Sequence, residues 1–449
     1  MKHTTRLIAC LLALALTACT AAPQDMPAST TTETAAAPAQ TAEPTTETPA
    51  MQGTLTPIYT AWGTAVGQDA VYSAMNIDDA GKYFATTIDF STGEQRILCK
   101  KIGCSHADES CPAYMTAIRN GCVPQAMLLP VGDRLYWLVD GRHNESDSAY
   151  LDVSNLDGSD RRRVAEGDDL PDLTNAYVWY TDGTALYTFV RGYDKCSVLR
   201  LDEGGATCFF TRSIPDGEDY FAVGCWQDKI VLQHSGGYLQ QPLNPAGEAA
   251  TDEELRAWLA ADEEAQKEQT KNLCLLDTAG GMTDTDMTWG GDAGNVQLVH
   301  NGAAYVLNES GLVTKFDLTA GTAQTRQLDL QGVLYGVVEG ARLDGWIPVT
   351  VRDDSEGLLN PETGVYTPLP TTWLKDQAVE RSPFIVAASD TMLLVKYGEI
   401  YYTTNDIGTD GAPYSFTTCR GEYGIISVKD YLAGSQDWVQ VTLQGRDLV

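Results

Sequence analysis

The sequence predicts an all-β chain folded as a β-propeller of about seven four-stranded blades, with six or eight as the neighbouring solutions. Three observations lead there. Short runs rich in β-branched and aromatic residues alternate with Gly, Asp and Asn turns from Met51 onward. These runs come in groups of four that recur every 40 to 60 residues. No such group is large enough to bury both of its faces alone, whereas a ring of them buries each against the next. A β-sandwich pair is the competing architecture, but it requires no such recurrence.

The clearest unit is 126–165. The runs AMLLPV, RLYWLV and AYLDV are joined by Gly132-Asp133, by a segment beginning Asp140-Gly141, and by Asn155-Leu156-Asp157-Gly158 before RRRV closes the group. The same grammar returns at 59–98, 176–211 and 296–330, and more weakly at 220–290, 334–369 and 384–447. The last segment, 424–447, either completes the final blade or pairs near 57–66 to close the ring. One segment departs from the strand pattern. Thr251-Asp252-Glu253-Glu254 is a capping box that opens a short helical insertion near 251–270 in the fourth blade. Leu255, Trp258 and Leu259 form its apolar stripe, read as packing on the propeller in preference to a lid, and Asp262-Glu263-Glu264 its solvated face.

The amino terminus assigns the compartment. Lys2 and Arg6 precede an apolar run from Leu7 to Ala18. That run is too short to span a bilayer comfortably and fits the core of a signal peptide. It ends in Leu16-Thr17-Ala18-Cys19, which looks like a bacterial lipobox, with cleavage before Cys19 and a diacylglycerol on its thiol. The alternative is an ordinary secretory signal with a chance cysteine. Residues 19–52 are dominated by Thr, Ala and Pro and lack aromatics, so they read as a disordered tether. Extended at roughly 3.1 Å per residue, its stretch from Thr20 to Ala50 would approach about 90 Å. The expected organisation is therefore signal peptide 1–18, tether 19–52 and propeller 53–449, extracytoplasmic and lipid-anchored to a bacterial cell membrane.

Composition narrows the function. The 449 residues carry a formal net charge of −31. Losing residues 1–18 removes two cations and no acid, leaving the remainder more acidic still. A surface of this sign repels nucleic acid and anionic membrane faces. The sequence holds no His-Glu-x-x-His, no Gly-x-Ser-x-Gly and no phosphate-cradling Gly-x4-Gly-Lys motif. His106, His143, His234 and His300 fall on separate units, and Asp168-Asp169 and Asp353-Asp354 read as solvated turn residues. Asp406 and Asp410 lie in a Gly-containing loop without the ligand alternation of a calcium site.

The most pointed chemistry is C-x4-C-x-H-x4-C, formed by Cys99, Cys104, His106 and Cys111. Three soft thiols and an imidazole suit a tetrahedral Cys3His zinc site, although the spacing is not that of a common zinc ribbon or knuckle. The oxidising compartment favours a rival reading, in which two of Cys99, Cys104, Cys111 and Cys122 pair as a disulfide staple or remain as structural thiols. Redox chemistry is a third. Trp137, Trp179, Trp226 and Trp346 fall in first or second strands of their units, so they serve either as ligand-stacking residues near the central channel or as packing between blades.

The segment LCKKIGCSHADESCPAY resembles one found in uncharacterised lipoproteins of Gram-positive bacteria, placed after the first strands of a propeller-like domain of unknown function. The turn Ser154-Asn155-Leu156-Asp157-Gly158-Ser159 similarly resembles TolB-type propeller repeats. The resemblance implies a propeller and a surface lipoprotein, and no reaction. The expected role is non-catalytic binding or scaffolding towards a protein, peptide or glycan. The alternatives are an extracytoplasmic enzyme acting on envelope or dietary glycans and a metal-dependent sensor built on the Cys/His segment. They are distinguishable: an enzyme needs convergent carboxylates, His or Arg at the channel mouth, whereas a binder needs an apolar, aromatic patch without them.

Overall fold

The structure, a computed structural model, describes residues 53–444 apart from 62, 77–81, 118–124, 141–148, 174–175, 237–250, 329–342, 344, 352–355, 370–371, 374–379, 382 and 408–412. The expected lipobox with Cys19 and the expected tether, together with Cys122, His143, Asp353-Asp354 and Asp410, lie outside the described residues.

Antiparallel sheets built in chain order bear out the propeller expectation. Groups of four antiparallel strands occupy residues 125–166, 176–213, 218–290 and 295–327, flanked by blade 1 at 64–117 and blade 7 at 384–440. Blade 6, at 347–368, shows three strands among its described residues. Within a blade, polarity grades outward. The second strand of blade 5, Ala303–Leu307, is buried throughout, whereas its fourth, Thr322–Gln327, is exposed at five of its six residues. The inner strands therefore read as apolar runs and the outer ones as polar runs, which discourages edge-to-edge pairing.

The ring closes through its cores. Seven buried apolar clusters are present among the described residues, and each lies chiefly between neighbouring blades. Leu298 and Tyr305 of blade 5 meet Ile347 and Leu359 of blade 6. Leu358 of blade 6 meets Ile385 and Leu393 of blade 7, and Val386 and Ile425 of blade 7 meet Val71 and Ile88 of blade 1. Each blade thus uses both faces, the arrangement expected of units that cannot be stable singly.

The strand Thr56–Ala61 was expected to open the first blade. It is instead axial. Ile58 pairs with Trp179 of blade 3, Thr60 pairs with Ala387 of blade 7, and Ala61 pairs with Thr64 of blade 1. It thereby satisfies backbone edges that innermost strands leave open and joins three blades into one 14-stranded sheet. The carboxy-terminal segment completes the last blade through Pro413–Ser427 and Val439–Gln440, and Thr442 bridges Glu94 of blade 1. Within the last blade, the segment that pairs with the 57–66 region is Phe384–Ala388, not 424–447.

The helix in blade 4 spans Asp252–Lys267. Its capping box is formed: the Glu254 amide donates to Thr251 Oγ1 at 3.3 Å, and the Thr251 amide to Glu254 Oε2 at 2.8 Å. Two side chains depart from expectation. Asp262 is buried rather than solvated, and Leu259 is exposed rather than part of a packed stripe. Trp258 is half-buried, so the helix docks by a narrower face than its apolar spacing suggested.

Blades 2 and 3 are also clamped by charge. Glu203 accepts from Arg134 Nε at 2.8 Å and from Arg162 Nη2 at 2.6 Å, and these hydrogen bonds hold its carboxyl below the usual range. A depressed folded pKa contributes stability above the unfolded value of about 4.3 and loses it as pH falls through the folded value. Glu203→Gln is therefore expected to cost about 0.2–1 kcal/mol at neutral pH, the range for solvated pairs. In urea titrations the difference from wild type should shrink towards pH 3 or below; a cost that stays constant with pH would disprove the clamp.

Candidate functional site

The Cys/His segment interrupts the outer edge of blade 1. The third strand, Lys82–Asp89, pairs with Gln95–Ile97 along one half and with Tyr114–Ala117 along the other. Between these two short strands the chain leaves the sheet and returns at nearly the same point. The Leu98 amide donates to Ala85 O, and the Ala85 amide donates to Ala113 O, both at 2.8 Å. Cys99 follows the first of these anchors and Cys111 precedes the second. The excursion is thus pinched at its neck with its sulfurs turned inward.

Local geometry gathers the donors. The Cys104 amide donates to Lys101 O, with Gly103 between them at φ 72°, and the Cys111 amide donates to Asp108 O. His106 adopts φ 51°, a left-handed conformation that side chains seldom take, and its Nδ1 lies 3.3 Å from Cys111 Sγ. The donor atoms of Cys99, Cys104, His106 and Cys111 all fall within 4.8 Å of one another. A zinc tetrahedron with Zn–S of about 2.3 Å sets sulfurs about 3.8 Å apart, so this spacing is compatible with one ion at the centre. All eight cysteines among the described residues are free thiols.

The surroundings are polarised. The His106 backbone N–H, donating to the sulfur, holds the Cys104 thiol below its usual pKa, whereas burial pushes Cys111 up to about 12. Lys101 Nζ donates to Ser110 O at 3.0 Å and Lys82 Nζ donates to Ala107 O, which brings two ammonium groups to the rim. Lys100 pairs with Asp157 of blade 2 at 2.5 Å. Arg161, also from blade 2, donates to Pro112 O at 2.9 Å and Tyr114 O at 2.7 Å. The loop therefore sits at the seam between blades 1 and 2, where Cys99, Cys104 and Cys111 join their shared core.

A second candidate lies at the axis. A cleft of about 540 Å³ is bounded by the axial strand and by the innermost strands of blades 3, 4 and 5. Trp226 and Gln227 border it from blade 4, and His300 and Asn301 from blade 5. Gln227 and Asn301 occupy left-handed turn positions at φ 55° and 48°, and Asn301 Nδ2 is 2.7 Å from His300 Nε2. Among the described lining residues there is no Asp, Glu, Lys or Arg.

The four tryptophans separate. Trp226 is half-buried and borders the cleft. Trp179 also borders it, but at 3% exposure it has no free face. Trp137 is fully buried, with Nε1 donating to Ser154 Oγ at 2.8 Å, so it cannot stack on a ligand. Trp346 packs between blades 6 and 7. The reason is geometric: a first or second strand presents side chains both to the axis and to the adjoining blade, and spacing within the strand does not say which. Gln227, His300 and Asn301 were not singled out as a group; the turn sequence His300-Asn301-Gly302 was the available signal.

No family model and no curated protein matches the sequence. Among solved structures, BamB from Moraxella catarrhalis is 13% identical, with 83% of this chain and 94% of that one covered and a TM-score of 0.29. A functionally unknown protein from Desulfotomaculum acetoxidans is 10% identical over 84% of this chain and 97% of its own, with a TM-score of 0.36. The WD40 β-propeller domain of Doa1 is 10% identical over 85% and 94%, with a TM-score of 0.31. The fold stands on its strand pairing and its seven inter-blade cores.

Proposed function

We propose that this chain is a lipid-anchored, extracytoplasmic propeller that binds an uncharged segment of a protein or peptide partner in its axial cleft, without catalysing a reaction. One observation carries the binding role: a concave site at the axis offers Trp226, amides and an imidazole, while its described lining supplies no carboxylate or cation. Acid–base attack on a glycan needs paired carboxylates or an equivalent charged constellation. Recognition of a neutral chain needs apolar area and a few placed hydrogen-bonding groups. The glycan-processing alternative finds no support in that lining, and the Cys/His loop lies on the outer edge of blade 1.

Peptide and glycan arrays probed with the full chain test the reading. Wild type should retain a subset of uncharged peptides, and Trp226→Ala should weaken that retention by about 10-fold or more, as loss of a buried aromatic anchor does. Turnover of an envelope polymer would overturn it, as would retention of glycans alone. The anchor rests on the Leu16–Cys19 motif. Cys19→Ala is expected to move the protein from the membrane fraction to the soluble fraction; unchanged membrane retention would remove the anchor from the proposal.

A further inference from the structure

We infer that Cys99, Cys104, His106 and Cys111 hold a structural zinc ion that closes the break in the outer strand of blade 1. The argument begins with the donor set. A disulfide uses two sulfurs and leaves the third thiol and the imidazole without a task. Here all four donors converge within 4.8 Å, and the only side chain in the loop to adopt a left-handed backbone conformation is the histidine that completes the set. Three thiolates and one imidazole in a tetrahedral arrangement select zinc over harder cations. Four protein donors fill the coordination shell, so the ion is structural and has no open position for a substrate.

The fold supplies the need. The segment from Leu98 to Ala113 has no strand or helix of its own, and its neck is held by backbone bonds to a single residue, Ala85. Without an internal crosslink, such an excursion would lose the ordering on which its contacts with blade 2 depend. Charge agrees as well. Three thiolates around a dication leave one net negative charge, and Lys101 and Lys82, both anchored to loop carbonyls, stand beside it. The ligands lie on one sequence-local loop, while Lys100 and Arg161 connect that loop to blade 2. The ion thereby fixes a surface on blade 1 that blade 2 packs against.

Metal analysis of the full chain, purified under reducing conditions, is the direct test, with about one equivalent of zinc expected. Zinc below about a tenth of an equivalent would overturn the inference, as would iron in its place or a thiol count showing a disulfide within the loop. Cobalt substitution should give the intense thiolate charge-transfer and ligand-field bands of a tetrahedral site; an octahedral spectrum would contradict it. Cys104→Ser and His106→Ala should lose the metal. His106→Cys should retain it, with the cobalt spectrum shifted towards that of four thiolates, and Cys208→Ser should change nothing. A readout independent of the variants is tryptic cleavage after Lys100 or Lys101: chelation of the wild type should open these sites, and zinc should close them again. Cleavage unaffected by chelation would disprove the structural role.

Discussion

Trp137→Ala is expected to lower unfolding free energy by about 3–5 kcal/mol, the range for truncating a fully buried large aromatic. Trp137 has no exposed surface and sits in the core shared by blades 1 and 2. Its indole N–H is used by Ser154 Oγ, and the Arg161 guanidinium lies 4.0 Å from the ring centroid. Truncation removes apolar burial, a hydrogen bond and the cation–π contact together, and a rigid inter-sheet core refills poorly. Trp137→Phe keeps most of the ring and should cost about 1–2 kcal/mol, chiefly through the lost hydrogen bond and residual volume. Urea unfolding followed by far-UV circular dichroism measures both. A cost below about 1 kcal/mol for the alanine variant would mean that the blade 1–blade 2 core is not packed as described.

Asp152→Ala should be nearly as damaging, at about 3 kcal/mol, the lower part of the range for breaking a buried ion pair from one side. Asp152 is 3% exposed and uses both carboxylate oxygens, Oδ2 for Arg161 at 2.8 Å and Oδ1 for Arg163. Removing it strands the well-buried Arg161; Arg163 is more exposed and can rehydrate, which places the cost low in the range. Arg161 also holds the carbonyls of Pro112 and Tyr114, so Asp152→Ala should increase hydrogen exchange at the neck of the Cys/His loop. Asp152→Asn should fall between wild type and alanine. Because Trp137, Asp152 and Arg161 form one network, the Trp137→Ala/Asp152→Ala double variant should cost less than the sum of the two singles. Strict additivity would show that the contacts are independent.

Much of this architecture was legible because the information is local. The unit read at 126–165 is the blade at 125–166, since its turns are written in neighbouring residues: the Ser159 amide donates to Asp157 Oδ1, and Gly132 adopts a positive φ. The capping box at Thr251 was legible for the same reason. The Cys/His loop was legible as a cluster, because all four donors lie within one short segment; only its convergence in space distinguishes a metal shell from a paired staple. The axial strand was not legible. Thr56–Ala61 has the composition of any strand, and its partners, Trp179 and Ala387, are fixed by ring closure rather than by anything near it. The burial of Trp137 was hidden similarly, since the core it enters also draws on Tyr72, Phe84 and Met115 of blade 1.

The axial strand sets an order of events for folding. Thr60 is among the first residues of the domain to be made, yet its pairing with Ala387 waits for the seventh blade. Native contacts separated so widely in sequence form slowly, because the entropy of closing the intervening chain is spent before the contact gives anything back. Blades 2 to 5 can collapse on one another as they emerge, while the ring stays open and the edge of the first blade stays unpaired. The step that completes the molecule is therefore its last, and a truncation anywhere before 384–388 should leave not a smaller ring but an open arc with a sticky edge.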